Sequence, residues 1–303
     1  MTTLTANPRV DVTGSNDVLR GVARSTRAEL LRLGKWPALW LTIGVELLLN
    51  VLFIYVFNYV SFRSTGDSGI SEGVPKQVLL ERMLPAAIPS SGVAGMPMFA
   101  GALVLILGAL TAGSGYGWGT VKTVALQGPG RLTCLTGSLA ALLTAVVGLV
   151  VALFATDVAV SLVVATSESQ SVVWPAVPDL VTSLGGGVLI MGAWALAGVL
   201  VGTLARSPAL SVGLGLVWVL AIENLLRGVG EIWSPLQNVT DLLPGTAAGS
   251  LAGALGAVPV TDPGGTPGVL TTLPGTSAAA LLATYVVLFV AATAALVRRR
   301  DVT

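Results

Sequence analysis

Acidic side chains inside apolar stretches are the residues of this sequence best placed to do chemistry. Glu46 lies near the middle of the first apolar stretch, and Asn50 follows one helical turn later on the same face. A carboxylate at the centre of a membrane helix costs about 2.5–3.5 kcal/mol on insertion scales. The spacing therefore predicts a hydrogen-bonded Glu46–Asn50 pair. Such a pair either clamps neighbouring helices together or lines a cavity for a substrate.

A second polar group lies near the end of the fifth apolar stretch. Glu223 and Asn224 are followed by Arg227, one helical turn after Glu223. Residues spaced i, i+4 face each other on a helix, so a local ion pair would account for Glu223 and Arg227. The alternative is that the three residues form an outer gate or latch.

The segment 115–131 combines several glycines with a Lys-Thr pair, in the manner of a phosphate-binding loop. However, Val121 stands where a Walker A motif has Gly before Lys122, and no strand precedes the segment. We therefore predict that this chain has no ATP site of its own. Residues 119–126 are predicted to form a short helix on the cytoplasmic face, ended by Gly-Pro-Gly. That element is either a docking helix for a partner protein or an ordinary loop.

Residue types that usually serve catalysis or metal binding are scarce. The chain has one cysteine, Cys134, and no histidine. This excludes an intrachain disulfide and a conventional Cys/His zinc site. No paired carboxylates occur at acid–base or metal-ligand spacing. We predict no catalytic, cofactor or metal site, and no enzyme activity in this chain.

The composition indicates what kind of protein must position these residues. Of the 303 residues, 53% are hydrophobic and 10% are charged, whereas soluble domains are about 25% charged. The apolar residues come in blocks long enough to cross a bilayer as helices. The net charge of +1 gives no reason to expect a nucleic-acid partner. The predicted fold class is an all-α membrane protein with six transmembrane helices, at about 36–62, 92–114, 132–157, 180–204, 209–226 and 277–297.

The distribution of basic residues predicts the orientation. If the N-terminus is inside, Arg63, Lys76, Arg82 and Arg227 are the only ones of the 16 Lys and Arg residues that fall in outer segments. Basic residues favour the cytoplasmic side of a membrane. Both termini are therefore predicted to be cytoplasmic, in a multi-pass protein of the cytoplasmic membrane.

Three segments outside the regular spans complete the predicted domain organisation. Residues 1–16 are predicted to be a disordered tail, and 17–303 a single transmembrane domain. Residues 17–34 form an amphipathic pattern with an arginine-rich face, typical of a helix lying in the headgroup plane, although a soluble capped helix is the alternative. Asp157 is interpreted as marking the outer membrane interface of span three, with the helix projecting or kinking beyond it, as far as Ala165. Residues 241–255 are too short for a span and predict a re-entrant or interfacial hairpin.

Taken together, several stretches resemble ABC-2 type transporter permeases, from about residue 20 to the end of the chain. The run from Tyr116 to Lys122, followed by Gln127-Gly-Pro-Gly-Arg131, is similar to the first intracellular loop of that family. The other matching stretches occur in the family's order, at 27–32, 204–210, 243–245 and 297–301.

The resemblance implies a connecting helix at 17–34, a coupling helix at 119–126 and a membrane-dipping hairpin between spans five and six. The coupling helix would dock on a separate ABC ATPase subunit, which binds ATP and Mg²⁺. A second permease subunit, expected to be identical, completes the transporter. Many family members carry an acid before Tyr116, and Gly115 stands there in this chain. The residues assigned to coupling are Tyr116, Trp118, Gly119, Thr120, Val121, Lys122, Thr123 and Leu126.

The expected function is that of a permease subunit in an ATP-driven exporter located in the bacterial cytoplasmic membrane. Its substrate would be hydrophobic or amphipathic: a drug, antibiotic, peptide or lipid. The alternative is an ion-gradient-driven secondary transporter that uses Glu46 and Glu223 as titrating carriers. The lack of a repeat between the two halves of the chain weakens that alternative. The predicted substrate pathway lies at the interface of the two permease subunits and draws on spans one, two and five. The residues assigned to it are Glu46, Asn50, Phe53, Met96 and Met98.

Overall fold

The computed structural model describes residues 15–64, 73–117 and 130–299. Within these ranges the regular secondary structure is entirely helical. Six helical segments are long and apolar enough to cross a bilayer, so the chain is a multi-pass membrane protein. We call them spans one to six: Pro37–Arg63, Pro85–Ser114, Arg131–Ser167, Val177–Ala205, Pro208–Gly230 and Gly275–Arg299.

The predicted number of spans is confirmed, but two boundaries differ from the prediction. Span two begins at Pro85 because the turn Pro85–Ala87 leads directly into the helix Ile88–Ala94. Span three is one helix of 37 residues, about 55 Å long at 1.5 Å per residue. The helix continues beyond Asp157 to Ser167, as expected for a helix that projects past this residue, and the place of Asp157 at the outer interface stays a prediction.

Close packing of spans two and four forms the centre of the molecule. A Cβ atom at Gly108 would overlap the carbonyl oxygen of Ala195, and one at Gly198 would overlap that of Leu105. The two backbones therefore approach each other more closely than any larger residue allows. Small residues at a helix crossing are a common way to gain van der Waals contact in lipid, where helices have no hydrophobic drive to associate.

The N-terminal helix, Ser15–Lys35, packs along span three. It begins two residues before the predicted start. Ser25 faces Gly137 of span three so closely that a Cβ on Gly137 would overlap the serine side chain. Leu19, Leu30 and Leu31 stay exposed on the same helix. The face with Ser25 and the buried Leu33 is thus used for protein packing, and the three exposed leucines are free to enter a membrane surface.

The segment between spans five and six contains two short helices. Ser234–Thr240 is followed by Pro244–Ala254, which we call the hairpin helix. With 11 residues the hairpin helix is too short to cross a bilayer. It is nevertheless almost wholly buried, against spans two, four and six. The prediction that this region is a short element and not a full span is confirmed.

Three spans contain a π-helical turn: Val51–Val56 in span one, Met96–Ala100 in span two and Val217–Ile222 in span five. Each such turn widens the helix and rotates the side chains that follow it, and π-turns are frequent at functional sites. In span two the carbonyl oxygen of Pro97 accepts a hydrogen bond from Trp194 Nε1 at 3.0 Å. The first two π-turns border the same cavity.

Candidate functional site

A cavity of about 330 Å³ lies between spans one and two and the loop that follows the hairpin helix. Its size is that of a small-molecule site. Four of the residues predicted for the substrate pathway line it, namely Glu46, Asn50, Phe53 and Met96. The fifth, Met98, does not line the cavity and packs against Gly268 of the loop. Span five, which was predicted to contribute, supplies no lining residue either; Leu153 of span three and the loop take its place.

The regular spacing of the helix explains why residues of span one share this cavity. Positions i, i+4 and i+7 lie on one face of a helix, which is the spacing of Glu46, Asn50 and Phe53. The π-turn Val51–Val56 keeps Phe53 and Phe57 close enough for edge-to-face contact, with ring centroids 5.2 Å apart. Phe99, from the π-turn of span two, stacks on Phe53 at 6.0 Å. All three rings line the cavity.

Glu46 is the acid of this cavity. The residue is only 3% exposed, and its Oε1 atom has no hydrogen-bond partner. No salt bridge to Glu46 occurs within residues 15–64, 73–117 and 130–299. Because a buried carboxyl group without a partner is costly, this side chain is suited to receive a hydrogen-bond donor or a cation from outside the chain.

These observations define the site: an apolar cavity of small-molecule size, three aromatic rings and one buried acid. The chain matches no known protein-family model and no curated protein. Its chemistry is therefore argued from this geometry.

Asn50 has a different partner from the one predicted. Its Nδ2 donates to Asp157 Oδ1 of span three at 2.6 Å, and the predicted Glu46–Asn50 pair does not form. Asp157 is fully buried and packs against Gly92, while Tyr55 Oη donates to the backbone carbonyl of Asp157 at 3.2 Å. Sequence reasoning placed Asp157 at the membrane interface and did not predict its pairing with Asn50, although an acid inside an apolar run was the available signal.

Arg82 holds the loop at the edge of the cavity. Its Nη1 donates to the carbonyl oxygen of Gly264 at 3.0 Å, and its Nη2 to that of Pro263 at 3.3 Å. Burial lowers the pKa of Arg82 from its ordinary value, and the charge of Asp262 opposes this change. The loop 256–267 is thereby tied to the segment that precedes span two. This connection was not predicted, since the two segments are far apart in the sequence.

Glu223 lies at a second buried position, where span five meets the hairpin helix. Its Oε1 accepts hydrogen bonds from the backbone N–H groups of Gly245 at 2.6 Å and Thr246 at 3.2 Å. These are the first free amides of the hairpin helix, whose positive dipole end favours a carboxylate. Glu223 thus acts as a side-chain cap supplied by a different helix.

The predicted local ion pair between Glu223 and Arg227 is wrong in its geometry. No salt bridge joins them in the described part of the chain. Arg227 Nη2 instead donates to Asn224 Oδ1 at 2.6 Å, and its buried Nη1 has no partner. Of the three residues, Glu223 contacts the hairpin helix, while Asn224 and Arg227 contact each other, and the role of a gate or latch stays a prediction.

The predicted coupling helix falls on residues that the structure does not describe. Tyr116 belongs to the last turn of the helix Gly101–Gly117. Trp118, Gly119, Thr120, Val121, Lys122, Thr123 and Leu126 lie outside the described residues.

Proposed function

We propose that this chain is the membrane subunit of an ATP-driven exporter, working with a separate ATPase of the ABC type. The supporting observation is the order of its elements: a surface helix with exposed leucines, six spans, and a short buried helix between spans five and six. That order agrees with what the resemblance to ABC-2 permeases implies. The substrate would be a hydrophobic or amphipathic molecule carried out of the cell.

In this proposal the chain contributes binding and movement, and ATP and Mg²⁺ are bound by the partner. Closure of the two ATPase subunits would push on residues 119–126 and thereby rearrange the spans. The substrate must interact differently with the inward and outward states, or no transport follows. Two copies of the chain would complete the transporter.

Co-purification tests the proposal most directly. The tagged chain is expressed in its native host, extracted in a mild detergent, and its partners are identified by mass spectrometry. We expect a stoichiometric protein that carries a Walker A sequence. A folded, active chain that repeatedly purifies alone would overturn the proposal.

The coupling role of residues 119–126 is tested separately, with Lys122→Glu and Val121→Pro. Both variants are expected to insert into the membrane and to lose transport, while the ATPase of the complex no longer responds to substrate. Lys76→Glu is the matched control, since it reverses one charge at the start of the helix Lys76–Arg82, between spans one and two. Normal transport in both variants would show that the docking assignment is wrong.

A second candidate function is gradient-driven transport, which the unpartnered carboxyl group of Glu46 favours. Glu223 gives less support to gradient-driven transport, because its carboxylate already accepts hydrogen bonds from two backbone amides. Proteoliposomes that contain the chain alone distinguish the two functions. Substrate movement driven by an imposed ion gradient, with no ATPase present, would favour the secondary transporter.

A further inference from the structure

We propose that the cavity binds a lipophilic organic monocation, with Glu46 as its counter-ion and Phe53, Phe57 and Phe99 as its aromatic wall. The inference names a substrate class for the transporter proposed above, and as a statement about a substrate it rests on that function.

The acid end of the cavity lacks positive charge. Glu46 Oε1 is buried without a partner, and Asp157 Oδ2 behind the cavity wall is also unpartnered. Asn50 Nδ2 donates to the other oxygen of Asp157, and no hydrogen bond from Asn50 to Glu46 occurs in the described part of the chain. A buried carboxylate is stabilised when a cation comes within contact distance, because the low dielectric strengthens their attraction. The occupant best suited to this end carries a positive charge.

The other end of the cavity is lined by the aromatic rings of Phe53, Phe57 and Phe99. Phe53 and Phe99 stand nearly parallel, with 10° between their planes, and Phe57 is perpendicular to Phe53. Aromatic faces attract cations, and clusters of them recognise quaternary ammonium groups. Glu46 and Phe53 are two turns apart on one helix face, roughly 10 Å along its axis. A single drug-sized cation with an apolar body spans both.

The one basic residue of the lining does not compete for the acid. Arg82 is tied by two hydrogen bonds to the loop carbonyl groups of Gly264 and Pro263, and Asp262 lies near it. Its guanidinium is therefore held at the loop side of the cavity, where the negative charge of Asp262 offsets its positive charge. The charge of Glu46 is left for a ligand.

The cation is organic rather than metallic. Hard metal ions such as Ca²⁺ need six or more oxygen ligands, and no group of three or more acidic, Cys or His side chains that could hold a metal occurs in the described part of the chain. Most of the lining is apolar, including Leu49, Ile54 and Met96. Such a wall suits the hydrocarbon body of a lipophilic ion.

The test measures binding of tritiated tetraphenylphosphonium to the purified full chain in lipid nanodiscs, with empty nanodiscs subtracted. Tetraphenylborate, which has the same shape and the opposite charge, is the matched ligand, and it is measured in separate samples because the two ions precipitate together. We expect saturable binding of the cation and no saturable binding of tetraphenylborate. Equal binding of the anion would overturn the proposal, because the cavity would then select shape alone.

Variants locate the site. Glu46→Gln keeps the shape of the side chain and is expected to weaken binding about tenfold or more, as loss of a charged contact does. Asp179→Asn removes one exposed acid at the start of span four and is expected to bind like the original chain. Binding by Glu46→Gln that equals the original would overturn the proposal.

A second variant keeps the test decisive if Glu46→Gln is not recovered folded. Phe53 is 49% exposed, so Phe53→Leu does not threaten the core. It removes one ring and keeps an apolar side chain, and we expect binding about threefold weaker. Unchanged binding would contradict the aromatic wall.

The binding measurement uses this chain alone, so its result is separate from that of co-purification. A chain that associates with an ATPase but binds no cation would overturn the cation site and leave the exporter proposal intact. A chain that binds the cation but never associates with an ATPase would support the site and favour gradient-driven transport.

Discussion

Two glutamates of this protein are buried to nearly the same extent, yet their surroundings differ. Glu223 is 1% exposed and accepts hydrogen bonds from two backbone amides of the hairpin helix. Glu46 is 3% exposed, lines a cavity and leaves Oε1 without a partner. Inside a bilayer every buried polar group needs a hydrogen-bond partner within the protein or from a ligand, because the hydrocarbon core contains no water. Glu223 has its partner within the fold, and Glu46 is available to one that arrives from outside.

The difference separates a structural acid from a functional one. Substitutions around Glu223 should change stability first and transport as a consequence. Substitutions of Glu46 should change ligand binding and leave stability almost as it was. Four measurements of unfolding sharpen this contrast, beginning with the largest expected effect.

Gly245→Ala should be the most damaging change. A Cβ at this position would lie 2.5–2.7 Å from the carboxyl atoms of Glu223, so the cap and the added methyl group cannot occupy the same space. Overpacking of this kind costs about 2–3 kcal/mol. We expect a clearly lower midpoint of thermal unfolding in detergent, followed by size-exclusion chromatography. Gly228→Ala is the control, since a Cβ there meets nothing within 4 Å. Equal midpoints for the two variants would contradict the close contact.

Asn50→Leu should have the next largest effect. It removes the donor to Asp157 and leaves that buried carboxyl group without its side-chain partner, at a cost of about 1–2 kcal/mol. Asp157→Leu in the same chain removes the orphaned group as well. We expect the double variant to recover much of the lost stability in a double-mutant cycle. Simple additivity of the two changes would show that the residues are not coupled.

Glu223→Gln should lower stability by about 1 kcal/mol, since a neutral oxygen still accepts from Gly245 and Thr246 but a charged acceptor binds such donors more strongly. The measurement is the same thermal midpoint, with the exposed Asp179→Asn as a control for loss of one negative charge. A midpoint identical to that of Asp179→Asn would mean that the charge of Glu223 contributes nothing to the cap.

Glu46→Gln should have the smallest effect on unfolding, within about 0.5 kcal/mol or slightly stabilising, because it removes a buried charge that no group of the chain compensates. Measured beside Glu223→Gln, it tests the contrast between the two glutamates. A larger loss of stability for Glu46→Gln than for Glu223→Gln would reverse the assignment of structural and functional acid.

Much of this architecture was predictable because it depends on local properties. Apolar blocks fix the number of spans, since a bilayer of set thickness requires about 20 residues of helix for each crossing. Helical spacing places Glu46, Asn50 and Phe53 on one face, and all three do line one cavity. The short length of the segment 241–255 already excluded a full crossing.

The errors came from contacts between helices. Asn50 bonds Asp157, which lies 107 residues away, and not its neighbour one turn earlier. Glu223 bonds a helix 22 residues further on, and not Arg227 one turn away. A local i, i+4 rule states which residues are near each other on one helix. It does not state which way that helix is rotated against its neighbours, and so it cannot choose between a local and a distant partner.

A helical membrane protein with six spans, an amphipathic N-terminal helix and a short element before the last span follow from the amino-acid sequence alone. These follow from apolar length and periodicity, which act within each segment. The tertiary structure decided which buried acid is satisfied and which faces a cavity. It did so through the close approach of spans two and four, the π-turns that turn phenylalanine rings toward one space, and the amides of the hairpin helix that meet Glu223. Each of these depends on the rotation and register of helices that are distant in the sequence.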